Sequence, residues 1–377
     1  MKKMRIAVVG LRFGEDFPPI YRNHPDVEYV GICDINEPLL NAYGEQFGFD
    51  KRHKCFDEVL NSKLYDAVHL TTPIHTHAEM AIKAMNAGLH CACTVPAATT
   101  IDELKEIVAT QKRTGKKYMM METSVNTRQF LYVKDLVENG KFGRIQLMKG
   151  AHYQDMENWP SYWMGLPPMH YATHAIAPLL AIAGTRATKV HCFGSGTMRE
   201  ELTKQYGNPF PAETAIFQLE NSDVSIEVSR TLFETTRSYV ENFNVYGEKM
   251  SFEWYIEDEQ PVVFERGEEN EGQGRSFTHK VINTPDRADL LPNEIRHHTK
   301  ERVCFDAANP HLSVIQGGNH HGSHPHMVDQ FVKCIVENTT PPVDAITAAN
   351  WTAPGICAHL SAMSNGQAVE IPNFLLL

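Results

Sequence analysis

None of the eight cysteines falls in a CxxC pair, and no spacing among the 377 residues reads as a disulfide framework. Cys91 and Cys93 stand two apart, on one face of an expected strand, where buried free thiols belong. A reducing cytoplasm is the expected setting. Positive charge is scarce as well: 35 Lys and Arg against 46 Asp and Glu give a formal net charge of -11. That balance argues against gripping phosphate backbones, so no nucleic acid partner is expected. Long apolar runs are missing, none approaching the roughly 20 residues that span a bilayer. The run from Ile6 to Gly10 is too short for a signal peptide's apolar region and reads as a first strand, so no membrane partner is expected. What remains is a globular composition, 42% hydrophobic and 21% charged, on a chain long enough for two domains.

The first third alternates short apolar runs with helical spacing, the pattern of βαβ units around a parallel sheet. Strands are expected over 6–9, 29–33, 67–71, 90–94 and 118–121, and helices over 35–47, 56–61, 77–87 and 101–114, with Gly88 and Gly115 as stops. Residues 1–123 therefore read as an α/β Rossmann domain. From about Asn126 the rhythm changes to a helix ending at Glu138, a turn at 140–143, and alternating runs at 188–193, 213–219, 224–232 and 239–246. Residues 124–377 read as a C-terminal α+β domain with a largely antiparallel open sheet that binds substrate. The Glu- and Gly-rich stretch 265–274 reads as a solvated loop, Ser323 as the cap of a helix through Val336, and 346–363 as a final helix that packs back on the first domain.

The first strand runs into Gly10-Leu11-Arg12-Phe13-Gly14-Glu15, where a dinucleotide fingerprint places its glycine turn so that backbone N–H groups can approach a pyrophosphate. Arg12 and Glu15 occupy the second and third glycine positions, and Gly14 lies one residue early. Arg12 then either covers the pyrophosphate as a charged lid or turns to solvent. Asp34 ends the second strand about 20 residues past the turn, where a carboxylate accepts ribose hydroxyls and repels a 2′-phosphate. NAD is the expected cofactor.

With Gly10 and its turn, Asp34, the run Thr71-Thr72-Pro73-Ile74-His75-Thr76-His77 and the segment from Ala84 to Pro96, the chain resembles the Gfo/Idh/MocA oxidoreductases. The resemblance continues through Gly140-Lys141-Phe142-Gly143 and the segment His170 to His174. It implies that Thr71, Pro73 and His77 lie near the adenine or nicotinamide ribose, and Thr94, Val95 and Pro96 beneath the nicotinamide. It also implies a lysine and a histidine around the reacting hydroxyl, and both patterns are altered. Valine stands at position 95 in place of the lysine, and His170 stands where an aspartate is usual, while the family histidine is retained as His174.

Removing a hydroxyl proton during hydride transfer needs a base at that oxygen, and histidine titrates in the right range. His174 is the expected base, with His170, four residues away on a helix face, orienting it or touching substrate. The same spacing suits two metal ligands, with His152, Asp155 or Glu122 as a third, but no glutamate follows His170 as a zincin requires, and no metal is expected. Tyr153 and Trp163, aromatic faces with polar tips, and His320 and His321 are expected to contact a small, sugar-like substrate. Three readings follow. The first is an NAD(H)-dependent oxidoreductase of a sugar, glycoside or cyclitol hydroxyl, assembled as a homo-oligomer (dimer or tetramer). The second is a redox-neutral, NAD-dependent glycoside-cleaving enzyme, and the third a non-catalytic sensor of NAD or a sugar.

Overall fold

The computed structural model describes residues 3–237, 239–256, 259–268, 274–301, 303–306, 308 and 318–376. The chain forms two compact units, the first containing the residues up to Asn126, Asp286–Ala349 and the end from Phe374, the second Thr127–Pro285 and Asn350–Asn373.

The first unit carries six strands: β1 (Met4–Val9), β2 (Val27–Cys33), β3 (Arg52–His53), β4 (Ala67–Leu70), β5 (His90–Cys93) and β6 (Tyr118–Met120). All pair in parallel in the order β3-β2-β1-β4-β5-β6. The order reverses between β1 and β4, and in such sheets ligands bind beyond the strand ends at that point. Helices α1 (Phe17–Asn23), α2 (Glu37–Phe47), α3 (Phe56–Ser62), α4 (His77–Asn86) and α5 (Ile101–Thr114) link the strands. Thr100 and Glu103 close a capping box at the start of α5. Two elements escaped the sequence reading, β3, which is only two residues long, and α1, only seven residues long with Pro18 and Pro19 in its first turn. Proline in a first turn fits a helix, since the N–H it lacks has no partner there.

A later helix of this unit spans Ser323–Val336 and presents Met327, Val328, Phe331 and Val332 to a core shared with Ile6, Val8, Phe17 and Tyr21. Positions i, i+1, i+4 and i+5 form the apolar stripe that such a helix buries. Ser323 does not cap it. Gly322, at φ +84°, holds the cap position, and the Ser323 hydroxyl is buried.

In the second unit helix α6 (Arg128–Glu138) precedes β7 (Ile145–Tyr153), and α7 (Thr173–Ala183) precedes β8 (Ala187–Ser195). After the short α8 (Glu200–Thr203) come β9 (Ala212–Leu219), β10 (Ser225–Thr231), β11 (Val240–Gly247), β12 (Met250–Glu253), β13 (Val262–Arg266) and β14 (Phe277–Val281). With β15 (Val369–Glu370) they form one sheet in the order β14-β13-β12-β11-β7-β10-β9-β8-β15, antiparallel except for the pair β7 and β10. One face packs on helices. A Cβ at Gly150 would stand 2.3 Å from the Ala175 carbonyl, so β7 and α7 touch backbone to backbone. The other face is open, with Phe193 and Ile216 exposed. The solvated stretch expected at 265–274 is partly strand, because Glu265 and Arg266 end β13, while 269–273 lie outside the described residues.

Candidate active site

In the first unit Gly10 leaves β1 at φ +97° and donates its N–H to the Cys33 carbonyl at 2.8 Å. A Cβ at Gly10 would lie 2.8 Å from the Thr71 carbonyl oxygen, and one at Gly14 would lie 2.3 Å from Thr71 Oγ1 and 2.4 Å from the Gly10 carbonyl. Only glycine fits either position, and both sit where the strand order reverses. Asp34, half-buried, accepts the Leu11 N–H on Oδ2 at 2.8 Å and the Asn36 N–H on Oδ1 at 2.7 Å. Each oxygen keeps a further lone pair for a ribose hydroxyl. This cradle, with a carboxylate facing it, fits a dinucleotide without a 2′-phosphate.

Leu11 is buried, Phe13 half-buried and Arg12 exposed. Because α1 begins only at Phe17, and Pro18 and Pro19 carry no N–H, donors toward a pyrophosphate would have to come from the turn rather than the helix start. Glu15, in the third glycine position, is buried, and desolvation together with neighbouring Asp16 pushes its pKa up to about 7.

Of the residues implied by the resemblance, Thr71 braces this cradle, and Thr94 and His77 tie together neighbouring strand ends and loops. Thr71 donates its hydroxyl to the Val9 and Gly10 carbonyls, at 3.0 and 2.5 Å, and Thr94 donates to the Leu70 carbonyl at 3.2 Å. His77 is 1% exposed and joins two loops, Nδ1 lying 2.8 Å from the Pro96 carbonyl and Nε2 2.7 Å from the Thr72 carbonyl. Burial pushes its pKa down. Pro73 precedes the 3-10 turn Ile74–Thr76, and Val95 is buried.

In the second unit, strand register places Glu213 of β9 opposite Arg230 of β10, Arg230 opposite His152 of β7, and His152 opposite Glu241 of β11. All four are at most 2% exposed, a polar row across the helix-covered face of the sheet. The 3-10 turn Pro168–Tyr171 is tied to this row. Glu213 Oε2 accepts the Met169 N–H at 2.8 Å, and Arg230 Nε donates to the Tyr171 carbonyl at 2.9 Å. Arg230 also donates to the His152 carbonyl at 3.0 Å, to Gln154 Oε1 at 3.1 Å and to the Thr231 carbonyl. Burial pushes its pKa down to about 9, which leaves it charged at neutral pH.

His174 lies at one end of the row. Its ring centre is 5.2 Å from that of His152, its Nε2 is 3.4 Å from the Tyr171 hydroxyl, and its Nδ1 is 4.0 Å from Glu241 Oε1. Glu241 Oε2 accepts the Tyr239 hydroxyl at 2.6 Å. A carboxylate behind one ring nitrogen and a phenol at the other can orient an imidazole and stabilise its cation. His170 lies at the other end, its ring edge-on to His359 at 5.2 Å, and His359 Nδ1 is 2.7 Å from Glu213 Oε1. The shared helix face expected for the two histidines is absent, because the 3-10 turn stops at Tyr171 and α7 starts at Thr173. Burial and nearby His359 push the His170 pKa down to about 3.

Tyr153 alternates with His152 along β7 and so points to the open face, toward Ser229, away from His174. Trp163 is buried edge-on against Tyr171 at 4.9 Å, and its indole N–H has no partner among the described residues. Asp155 caps its own loop by accepting the Glu157 N–H. His320 and His321 belong to the first unit, in a 3-10 turn at φ +37° and +52°.

A six-stranded Rossmann sheet with a glycine cradle and a carboxylate facing it, followed by an open-sheet unit with a buried polar row, is the architecture of a dinucleotide-dependent oxidoreductase. The sequence model described as "Oxidoreductase family, NAD-binding Rossmann fold" matches residues 4–122, and "Oxidoreductase family, C-terminal alpha/beta domain" matches 134–371. The chain belongs to the Gfo/Idh/MocA oxidoreductase family and is an NAD-dependent enzyme of that family. It is similar to an alpha-N-acetylgalactosaminidase of Shewanella oneidensis, 25% identical with 99% of this chain and 85% of that protein covered. A glycosyl hydrolase family 109 protein of Saccharopolyspora erythraea is 22% identical, with 98% and 83% covered. The fold is that of a myo-inositol 2-dehydrogenase from Lactobacillus plantarum, at TM-score 0.72, 18% identity and coverage of 98% and 100%. An aldose-aldose oxidoreductase from Caulobacter crescentus gives TM-score 0.71, 16% identity and coverage of 98% and 100%. Among the described residues no helix is long and apolar enough to cross a membrane.

Proposed function

We propose that the chain oxidises or reduces a hydroxyl of a sugar, glycoside or cyclitol with NAD(H), and that His174 carries the proton. The carrying observation is the line Glu241, His174, Tyr171, with separations of 4.0 and 3.4 Å. His174 is 2% exposed, whereas Tyr171 is half-buried, so the phenol is the group a substrate oxygen meets and the imidazole stands behind it. In the oxidative direction bound NAD+ supplies the hydride acceptor. The hydroxyl proton passes to Tyr171, which gives its own to His174, and Glu241 stabilises the imidazolium. The indole N–H of Trp163 and the ring of Tyr171 suit a polyhydroxylated ring with both apolar and polar edges.

A second reading is redox-neutral glycoside cleavage, in which oxidation beside the glycosidic bond is transient. It is favoured by Val95, which leaves no lysine to titrate, and by the glycosidase names of relatives that cover nearly the whole chain. Exposed Phe193 and Ile216 on the open sheet face support a homo-oligomer, and buried unpaired Cys91 and Cys93 support a cytoplasmic setting.

The test is a cofactor balance on purified protein with added NAD+, over inositols, aldoses and aryl glycosides. A dehydrogenase gives one NADH per product. Released aglycone with no net NADH selects the second reading, and neither product with any member of the panel overturns both.

A further inference from the structure

Burying a guanidinium is costly unless its donors find acceptors. Arg230 is 0% exposed and gives its donors to four oxygens, three of them main-chain carbonyls on separate pieces of backbone. Those pieces are the turn at Tyr171, the end of β7 at His152 and the end of β10 at Thr231. Its guanidinium also sits 5.4 Å from the centre of the Tyr171 ring. One side chain thus holds Tyr171 both by its carbonyl and by its ring, while Glu213 fixes the preceding turn at the Met169 amide. Ordinary core packing at an inward strand position needs none of this, and Ile226 and Val228, the inward residues before it on β10, are apolar.

We propose that Arg230 is a positioning residue, which holds the Tyr171 hydroxyl against His174 so that the pair moves a proton as one unit. The inference rests on the reading of His174 and Tyr171 as the proton path. The guanidinium acts on Tyr171 through its carbonyl and its ring. It sets the height of the turn over the row, and with it the 3.4 Å separation of phenol and imidazole.

The experiment observes the His174 imidazole by NMR in the full chain labelled at histidine, without substrate. Removing the phenol in Tyr171→Phe defines the shift that accompanies loss of the contact. Arg230→Met is expected to move the His174 Nε2 signal in the same direction, and Arg230→Lys to recover most of the parental position. In the Tyr171→Phe background, Arg230→Met is expected to cause no further change, the non-additivity that a shared path requires and a merely structural role does not produce. If Arg230→Met does not fold, Gln154→Leu, which releases only one of the guanidinium nitrogens, is expected to give a smaller shift of the same sign. A parental His174 signal in the folded Arg230 or Gln154 variant overturns the proposal, as does an undiminished shift in the Tyr171→Phe background. Either result leaves the role of His174 standing, since that role is tested by turnover of His174→Ala.

Discussion

The two units solve recognition with different materials. In the first, the proposed working groups are backbone amides and one carboxylate, and topology positions them, because the end of β1 meets the end of β4 where the sheet order reverses. In the second, the proposed working groups are side chains from three strands, a turn and the start of α7, at residues 152, 230, 241, 171 and 174, and strand register positions the first three. A site made of backbone tolerates change wherever a side chain points to solvent, and fails where a Cβ cannot fit. A site made of side chains fails wherever one atom of the row is lost.

The sharpest break of this comparison lies at His174. Loss of a general base typically costs about 100- to 10,000-fold. His174→Ala is expected to lower single-turnover NADH formation by that order, while calorimetric titration returns the parental NAD affinity, because the cradle lies in the first unit. Turnover within a few-fold of the parent would remove His174 from the mechanism. Equal loss of NAD affinity would show that the two units do not divide the work as described.

The same division explains what the sequence disclosed. Five strands of the Rossmann sheet and helices α2 to α5 were legible to within two or three residues, because hydrophobic period and glycine stops are local signals. Gly10 and Asp34 were legible because their spacing follows from one βαβ unit. The row was not, since no local pattern says that residue 213 faces 230, or 152 faces 241. One trace was present: in β10 the inward positions read Ile226, Val228, Arg230, and in β9 Glu213 precedes Ala215, Phe217 and Leu219. A charge at an inward position of an alternating strand needs partners, and here it marks the proposed site. His170 and His174 misled because spacing of four implies a shared face only on an unbroken helix. Strand β14 escaped because it is exposed throughout, so no alternation of buried apolar residues marks it.

A smaller effect sharpens the comparison at Asp34, the carboxylate proposed to receive the ribose hydroxyls. A hydrogen bond to a charged group contributes about 1.5–3 kcal/mol, or roughly 10- to 100-fold. Asp34→Ala is expected to weaken NAD by about that factor and to weaken NADP less, so that the preference narrows. Competition titrations of both cofactors measure it. Equal affinities in the parent protein would refute the assignment of Asp34 to the ribose.

The smallest effect is expected at Arg12, which sits in the middle of the turn in a position usually glycine. The turn's two glycines, Gly10 and Gly14, admit no Cβ, since one at Gly14 would stand 2.3 Å from Thr71 Oγ1, whereas the Arg12 side chain is exposed. An exposed cation near a phosphate gains at most about 1 kcal/mol, and salt screens it. Arg12→Gly is therefore expected to weaken NAD by no more than about fivefold at low salt, with the difference disappearing near 1 M, where the Debye length falls to about 3 Å. Gly14→Ala should lose far more at either salt, because the clash is steric and ions do not screen it. Calorimetric titration of both variants at two ionic strengths separates the cases. A loss at Arg12 above about tenfold that persists in salt would place the guanidinium in a desolvated contact with the pyrophosphate. The first unit would then depend on a side chain as the second does, and the contrast between a backbone site and a side-chain site would no longer hold.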